Sequence, residues 1–179
     1  MTTDLQPLTR ERHAGKRWRP FTSYGFAAAT PMASVVGSEL SRAVASFPLA
    51  FMARGEGYAL VAVLGITRER NLFVAPDGRW LGEYVPAAFR GHPFRLMESS
   101  DGQSLVCVDE GSGLVEDGGE GQPFYDDQGK PSGALSRVAE FLAQLARDEA
   151  ATGRAVAALA QAGVLQPWPV ELKGLEGTS

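Results

Sequence analysis

Paired apolar runs, separated by glycine-containing turns, are the feature that most constrains how this chain can fold. The clearest pair covers residues 49–53 and 58–64, and the four residues between the runs include Gly55 and Gly57. Glycine adopts the positive φ of a tight hairpin loop at no steric cost, so this pattern predicts a β-hairpin. Because the run 58–64 is continuously apolar, we expect its strand to lie in the centre of a sheet with both faces covered.

The same pattern recurs twice further along the chain. Residues 72–74 and 79–81 flank a Pro-Asp-Gly turn at 76–78, whose residue types favour a reversal of the chain. A third hairpin is centred on the Asp-Gly pair at 101–102. The segment 18–29 carries several aromatic residues and predicts a short first strand.

Helices are predicted in three places along the chain. After Ser38, which can cap a helix, apolar residues recur at spacings of three and four. Pro86 suits the first turn of a short helix over residues 87–90, because its missing N–H is not needed there. Further on, two apolar stripes predict a pair of helices, of which the second is capped by Thr152 and ended by Gly163.

Together these patterns predict a single α+β domain with a mainly antiparallel sheet built from hairpins. The short early helix and the C-terminal helix pair are expected to pack against that sheet. We expect the domain to span residues 20–170, with a basic arm at 1–19 before it and a tail at 171–179 after it. Within the domain, residues 109–131 are acidic and rich in glycine, which predicts a long mobile loop, either a binding lid or a disordered insertion.

Charge and hydropathy argue against several classes of function. The formal net charge of −4 gives no general attraction to phosphate, so nucleic acid is not expected as a partner. The first 20 residues lack the apolar run of a secretory signal, and no later stretch is apolar for long enough to span a membrane. We therefore expect a soluble, cytoplasmic protein, for which surface association would require non-classical export. A homo-oligomer is compatible with this composition.

Few groups in the chain are suited to catalysis or metal binding. The spacing of His13, His92 and Cys107 brings no set of ligands together, so neither a metal nor another cofactor is expected. Cys107 alternates with valines and precedes two acidic residues that disfavour a thiolate, which indicates a structural cysteine. His92 could act as a general base near neutral pH, or it could form hydrogen bonds in the turn before Pro93.

One stretch, residues 71–94, carries a resemblance to a known family. Its segments 71–73, 78–80, 84–86 and 90–94 read Asn-Leu-Phe, Gly-Arg-Trp, Tyr-Val-Pro and Arg-Gly-His-Pro-Phe. With their surroundings, over about residues 20–170, they resemble the SapC family of bacterial proteins. Gly91 and His92 stand where the family pattern has a second arginine and a tyrosine, so the resemblance does not extend to a pair of arginines that would clamp an anion.

The resemblance implies a cellular context and no particular reaction. The family is named for an association with bacterial surface layers. Its members are often encoded near outer-membrane receptors and near tryptophan halogenases or iron hydroxylases. A protein or peptide partner from this context is therefore expected.

Within the same stretch we predict a recognition groove for that partner. Five side chains with polar groups are expected to line it: Asn71, Trp80, Tyr84, Arg90 and His92. The alternative is structural, because Trp80 and Tyr84 can also seal a hairpin against the core. The leading functional hypothesis is a non-enzymatic binding or accessory protein. The alternative is a small enzyme, or a subunit of a peptide- or tryptophan-modifying system, that uses His92 and Arg90.

Overall fold

Short antiparallel strands in three sheets carry the fold across residues 4–99 and 101–168, which are the residues that the computed structural model describes. The strands are β1 (Leu5–Pro7), β2 (Lys16–Trp18), β3 (Met32–Ser34), β4 (Leu49–Arg54), β5 (Gly57–Val63), β6 (Phe94–Glu98), β7 (Ser104–Asp109), β8 (Val115–Asp117) and β9 (Gln122–Pro123). The helices are α1 (Arg10–His13), α2 (Leu40–Ser46), α3 (Ala87–Arg90) and α4 (Gly133–Gln161). The predicted α+β class is confirmed.

The predicted hairpins set the topology of two of the sheets. Strand β5 lies between β3 and β4, so its predicted central position is confirmed. Val61 and Ala62 are almost completely buried, but Tyr58 at the start of the strand is 47% exposed, so both faces are covered over only part of its length. Strands β6 and β7 form the hairpin at 101–102. β1 pairs with the other edge of β7, which gives the sheet order β1-β7-β6. Gly55 and Gly102 occupy their hairpin loops with φ of 58° and 79°, the conformation for which glycine was expected there.

The hairpin predicted at 72–81 is present in a reduced form. It has one bridge, between Val74 and Trp80, and the Phe73 carbonyl accepts a hydrogen bond of 2.8 Å from the Leu81 N–H. Gly78 closes its turn with φ of 84°. The segment therefore reverses without adding regular strands to a sheet.

The predicted C-terminal helix pair is wrong, because α4 is one continuous helix of 29 residues. Thr152 does not cap a second helix; its hydroxyl donates to the Asp148 carbonyl at 2.6 Å, one turn earlier in the same helix. Leu142 and Val156 are both buried, and their separation of 14 residues is about four helical turns. The two apolar stripes therefore lie on one face of a single helix. The polar stretch between them made them look like two separate helices in the sequence.

The described residues of the predicted basic arm, 4–19, contribute two strands to the sheets. β1 pairs with β7, while β2 is the central strand of the third sheet, in the order β8-β2-β9. Trp18 at the end of β2 packs edge-on against Phe94, with ring centroids 4.8 Å apart. The predicted tail at 171–179 lies outside the described residues.

Residues 109–131 are more regular than the predicted mobile loop. They contribute β8 and β9, which both pair with β2, and a 3-10 turn at Glu110–Ser112. Phe124 is fully buried beside Phe94 and Leu135. The acidic residues suggested disorder in the sequence, but Arg12 and Lys16 lie beside Glu110 and Arg19 lies beside Glu116. These cations offset part of the negative charge.

The strand predicted at 18–29 is wrong beyond Trp18, where β2 ends. The segment instead forms a 3-10 turn at Gly25–Ala27. Its aromatic residues pack on one another, with the ring of Phe21 about 5.2 Å from those of Tyr24 and Phe26. The aromatic residues that suggested a strand therefore pack in a local cluster and do not alternate between the two faces of a sheet.

Candidate functional site

Asn71, the first of the predicted groove residues, is buried and holds the chain in place. Its side-chain N–H donates to the Ala27 carbonyl at 3.1 Å, and its amide oxygen accepts from the Phe73 N–H at 2.9 Å. Only 2% of the residue is exposed. Both ends of the amide are therefore engaged within the protein.

Trp80 has a similar internal role. Its indole N–H donates to the Tyr84 carbonyl at 2.7 Å, and its ring stacks on Phe73 with centroids 5.7 Å apart. Phe47 and Phe89 meet the same ring edge-on. These contacts favour the structural interpretation of Trp80 as a seal between the reduced hairpin and the core.

Tyr84 contacts a buried carboxylate, that of Glu39, which the sequence analysis did not single out. The Tyr84 hydroxyl donates to Glu39 Oε2 at 2.7 Å, and the Ala87 N–H donates to the same oxygen at 2.8 Å. The Val36 N–H donates to Glu39 Oε1 at 3.1 Å. Burial, together with the hydrogen bond to Glu39, raises the pKa of Tyr84, so the phenol stays protonated and acts as a donor.

Arg90 closes the open side of this cluster. Its guanidinium donates twice to the Val85 carbonyl, at 3.0 and 2.7 Å, and lies over the Tyr84 ring, 4.8 Å from the centroid. One nitrogen is 3.9 Å from Glu39 Oε2. The Arg90 side chain is still 38% exposed, so it can meet a partner with its outer edge.

His92 lies in a different environment, among aromatic rings. It stacks on Phe26 with centroids 3.8 Å apart and meets Phe21 edge-on at 5.7 Å. Burial lowers the pKa of His92, so the ring is neutral at pH 7. Arg90 and His92 therefore contact different groups, and these contacts do not join them into a single acid–base site. The binding role of the five predicted residues stays a prediction.

Gly91, at the exit of α3, lies close to helix α4. A Cβ atom at Gly91 would lie 2.9 Å from Leu142 Cδ2 and 3.2 Å from the Phe94 carbonyl oxygen. Helix α4 therefore packs directly on the backbone at this position. A side chain at this position would require the Leu142 side chain to shift.

A second charged cluster surrounds Glu110 and joins two segments that the sequence suggested were mobile. Arg12 donates to both carboxylate oxygens, at 3.1 and 2.6 Å, and Lys16 Nζ donates at 3.0 Å. These contacts, that with Arg12 first, lower the pKa of Glu110 to about 2. His13 Nε2 is 3.2 Å from the same carboxylate, but the ring is fully buried and has no access to a substrate. The cluster is best explained as a structural clamp.

A concave surface whose apolar lining has no internal role lies between α4 and the sheet of β3, β4 and β5. We call it the apolar groove; its volume is about 400 Å³. Its apolar lining comes from α2, the β4–β5 hairpin and the second half of α4: Leu40, Phe51, Leu60, Ala155, Val156 and Leu159. Leu40, Phe51 and Leu159 are each about 40% exposed.

Two hydrogen bonds hold the walls of the apolar groove together. The Gly37 N–H donates to Thr152 Oγ1 at 2.8 Å, and the Ser38 hydroxyl donates to Asp148 Oδ2 at 2.7 Å. Gly37 and Ser38 belong to a 3-10 turn, Gly37–Glu39, which also carries Glu39. The Glu39 side chain accepts hydrogen bonds from Tyr84 and from the start of α3. The sequence contained no signal for this groove, because residues 37–60 and 148–159 are brought together only by the tertiary fold.

The described residues thus define an α+β protein with an apolar groove and two structural carboxylate clusters. Within residues 4–99 and 101–168, no group of three His, Cys, Asp or Glu side chains could hold a metal ion. In the same residues, no helix has the length and hydropathy that a membrane span requires. The family model described as SapC matches residues 8–179, and the chain belongs to the SapC family. Neither a curated protein nor a solved structure shows significant similarity to it.

Proposed function

We propose that this protein is a non-enzymatic binding protein whose apolar groove holds an apolar segment of a peptide or protein partner. The observation that carries this proposal is the groove itself, a surface of large apolar side chains left partly exposed between two rigid elements. Patches of this kind on a soluble domain mark interaction sites. The hydrogen bonds from Gly37 and Ser38 to α4 indicate that the groove is preformed.

The strands beside the groove favour an extended partner segment. Phe51 and Leu60 are directly opposite each other on β4 and β5, so their side chains share one face and form the floor of the groove. β4 lies at the edge of its sheet, and none of the described strands pairs with its outer side. An extended peptide can therefore hydrogen-bond to β4 while it places alternate side chains in the groove.

The polar groups at the groove favour binding over catalysis. Asp148 accepts hydrogen bonds from Ser38 and from the Gln144 side chain at 2.8 Å, and Thr152 is engaged with Gly37. Both side chains already form hydrogen bonds within the protein, as is usual for groups with a structural role. The groups at this end of the groove serve instead to join α4 to the turn before α2.

The family resemblance supplies the context of the proposal. A partner from a bacterial surface layer or an outer-membrane receptor system fits the accessory role, and recognition of such a partner before its export would occur in the cytoplasm. Arg90 and His92 lie outside the groove lining and could extend the contact along the surface.

The experiment begins with capture of partners from the native bacterium by the full chain and continues with the purified partner. Binding is then measured for wild type, Leu159→Glu in the groove and Leu81→Glu, which is 58% exposed on the reduced hairpin. We expect Leu159→Glu to weaken binding by about 30-fold or more, as for loss of a central apolar contact, and Leu81→Glu to leave it unchanged. Equal affinities of the two variants for the purified partner would refute the groove as the binding site.

A further inference from the structure

The chain turns back at the end of α4, next to the apolar groove. Gly163 has a φ of 67°, and its N–H donates to the Ala160 carbonyl at 3.0 Å. The next amide, of Val164, donates to the Leu159 carbonyl at 3.4 Å. A left-handed glycine with these bonds ends a helix and reverses the chain. Because Leu159 also lines the groove, the segment that follows begins at the groove's edge.

That segment, Val164–Trp168, presents apolar side chains to solvent. Val164 is 58% exposed and Trp168 is 86% exposed, the highest value among the large apolar residues that the structure describes. Trp18 and Trp80 are both packed in the core clusters. An indole is the side chain that gains most from removal from water, so the open position of Trp168 leaves a large apolar surface without a contact.

The length of the segment matches the length of the groove. From Gly163 to Trp168 the chain can extend about 16 Å, at roughly 3.3 Å per residue. Along α4, the eleven residues back to Thr152 rise by about the same distance, at 1.5 Å per residue. Pro167 favours an extended conformation of the residue before it, so the segment is suited to run back along the helix. Trp168 can therefore reach the level of Thr152 and Ala155, where the small side chain of Ala155 leaves room.

We infer that Val164–Trp168 folds back in the same molecule and places Trp168 in the apolar groove, where it competes with the partner. The structure described above is then the open arrangement. This inference rests on the proposed function, because it assigns a regulator to the same groove. Partner binding requires release of Trp168, and the apparent affinity is reduced by the fraction of molecules that are closed.

Quenching of tryptophan fluorescence by acrylamide in the full chain tests this inference without any partner. The signal of Trp168 is obtained as the difference between wild type and Trp168→Phe. In wild type we expect Trp168 to be protected, with quenching at least about twofold weaker than in Leu159→Glu, where a charge disfavours the closed arrangement. Phe51→Glu, on the floor of the groove, should give the same result, and Leu81→Glu should match wild type. Equal and strong quenching of Trp168 in all these proteins would overturn the inference.

Two further measurements separate the remaining alternatives. Protection that grows with protein concentration would assign the groove to Trp168 of a second copy and would overturn closure within one molecule. Once a partner is known, Trp168→Ala should raise its apparent affinity by about three- to tenfold, the inverse of the open fraction in wild type. If Leu159→Glu abolishes partner binding while Trp168→Ala has no effect, the proposed function stands and the closing segment is rejected.

Discussion

The segment 71–92 and the apolar groove differ in how they use their side chains, although both contact the turn at Gly37–Glu39. In the segment 71–92, most distinctive polar groups have an internal partner: the amide of Asn71, the indole N–H of Trp80 and the hydroxyl of Tyr84. In the groove, large apolar side chains remain partly exposed between elements that are already fixed to each other. The polar groups of the segment 71–92 therefore contact other groups of the same protein, whereas the apolar side chains of the groove are available to another molecule.

This difference shows that a distinctive sequence motif need not mark the surface that acts on other molecules. A segment without regular strands has to satisfy its backbone and side-chain polar groups by specific contacts, which require specific residue types. A groove formed by ordinary leucine, phenylalanine and alanine residues requires only that separate elements meet. If the segment 71–92 is structural and the groove functional, substitutions in the segment should mainly lower stability and substitutions in the groove should mainly weaken binding.

The largest expected effect is that of Trp80→Ala on stability. Loss of the indole leaves a gap beside Phe47, Phe73 and Phe89. We expect the free energy of unfolding to fall by about 3 kcal/mol, the lower end of the range for aromatic residues in cores, because Trp80 is only partly buried. Urea denaturation measures this change, with Leu81→Ala as an exposed control expected to lie within about 0.5 kcal/mol of wild type. A loss below about 1 kcal/mol would indicate that Trp80 is retained for recognition.

A somewhat smaller effect is expected from Glu39→Ala, which removes the contact between the two regions. The Val36 and Ala87 N–H groups and the Tyr84 hydroxyl would lose their acceptor, at a cost of about 2–3 kcal/mol in unfolding free energy. Thermal or urea unfolding measures the loss, and Glu83→Ala serves as a control because Glu83 is exposed. Tyr84→Phe, which removes one of the three bonds, should cost about 1 kcal/mol. Wild-type stability of Glu39→Ala would mean that the cluster has no structural role.

Local patterns predicted the local elements of the fold well. The hairpin of β4 and β5, the short helix α3 and the end of α4 before Gly163 follow from turn residues, proline and apolar spacing within a few residues of each other. Contacts distant in sequence were not predictable in this way. β2 pairs with β8 and β9 about 100 residues later in the chain, and Lys16 and Arg19 lie close to Glu110 and Glu116. Each segment alone has the composition of a solvated tail or loop.

The candidate site illustrates the same limit. Sequence reasoning found the residues of the segment 71–92 because their types are unusual, and it predicted both a structural and a recognition role for Trp80 and Tyr84. It missed Glu39 because an acidic residue at the start of a helix has an ordinary explanation as a helix-capping group. Its burial against Tyr84 is visible only when segments 45 residues apart are placed together.

The clamp at Glu110 should make stability depend on acidity. Its pKa falls from the usual 4.5 to about 2 in the folded protein, so the stabilisation is complete above about pH 5 and is lost as the pH decreases toward 2. We expect Glu110→Gln to cost about 2 kcal/mol of unfolding free energy at pH 7, where Arg12 and Lys16 lose a charged acceptor. The difference from wild type should shrink at pH 3. Glu116→Gln, whose contact with Arg19 at 3.5 Å is more exposed, should show little change at either pH, and a similar loss for both variants would argue against a specific clamp.

The smallest expected effect is that of Arg90→Ala on partner affinity, and it decides how far the binding surface extends. The outer edge of Arg90 is exposed, so a contact with a partner carboxylate would contribute up to about 1 kcal/mol, or roughly fivefold in affinity. His92→Ala should have less effect, because the ring is neutral at pH 7 and is engaged with Phe26. Titration of the purified partner into each variant measures both changes.

The same titration with Leu159→Glu shows which of the two regions contributes more to partner binding. If Arg90→Ala weakens binding more than Leu159→Glu does, the recognition surface is the segment 71–92 and the groove is secondary. Intact-mass analysis of the partner after incubation with wild type and with His92→Ala tests the remaining alternative. A covalent change that requires His92 would replace the binding hypothesis with an enzymatic one, because a residue that only contributes a contact changes the affinity for the partner and leaves its mass unaltered.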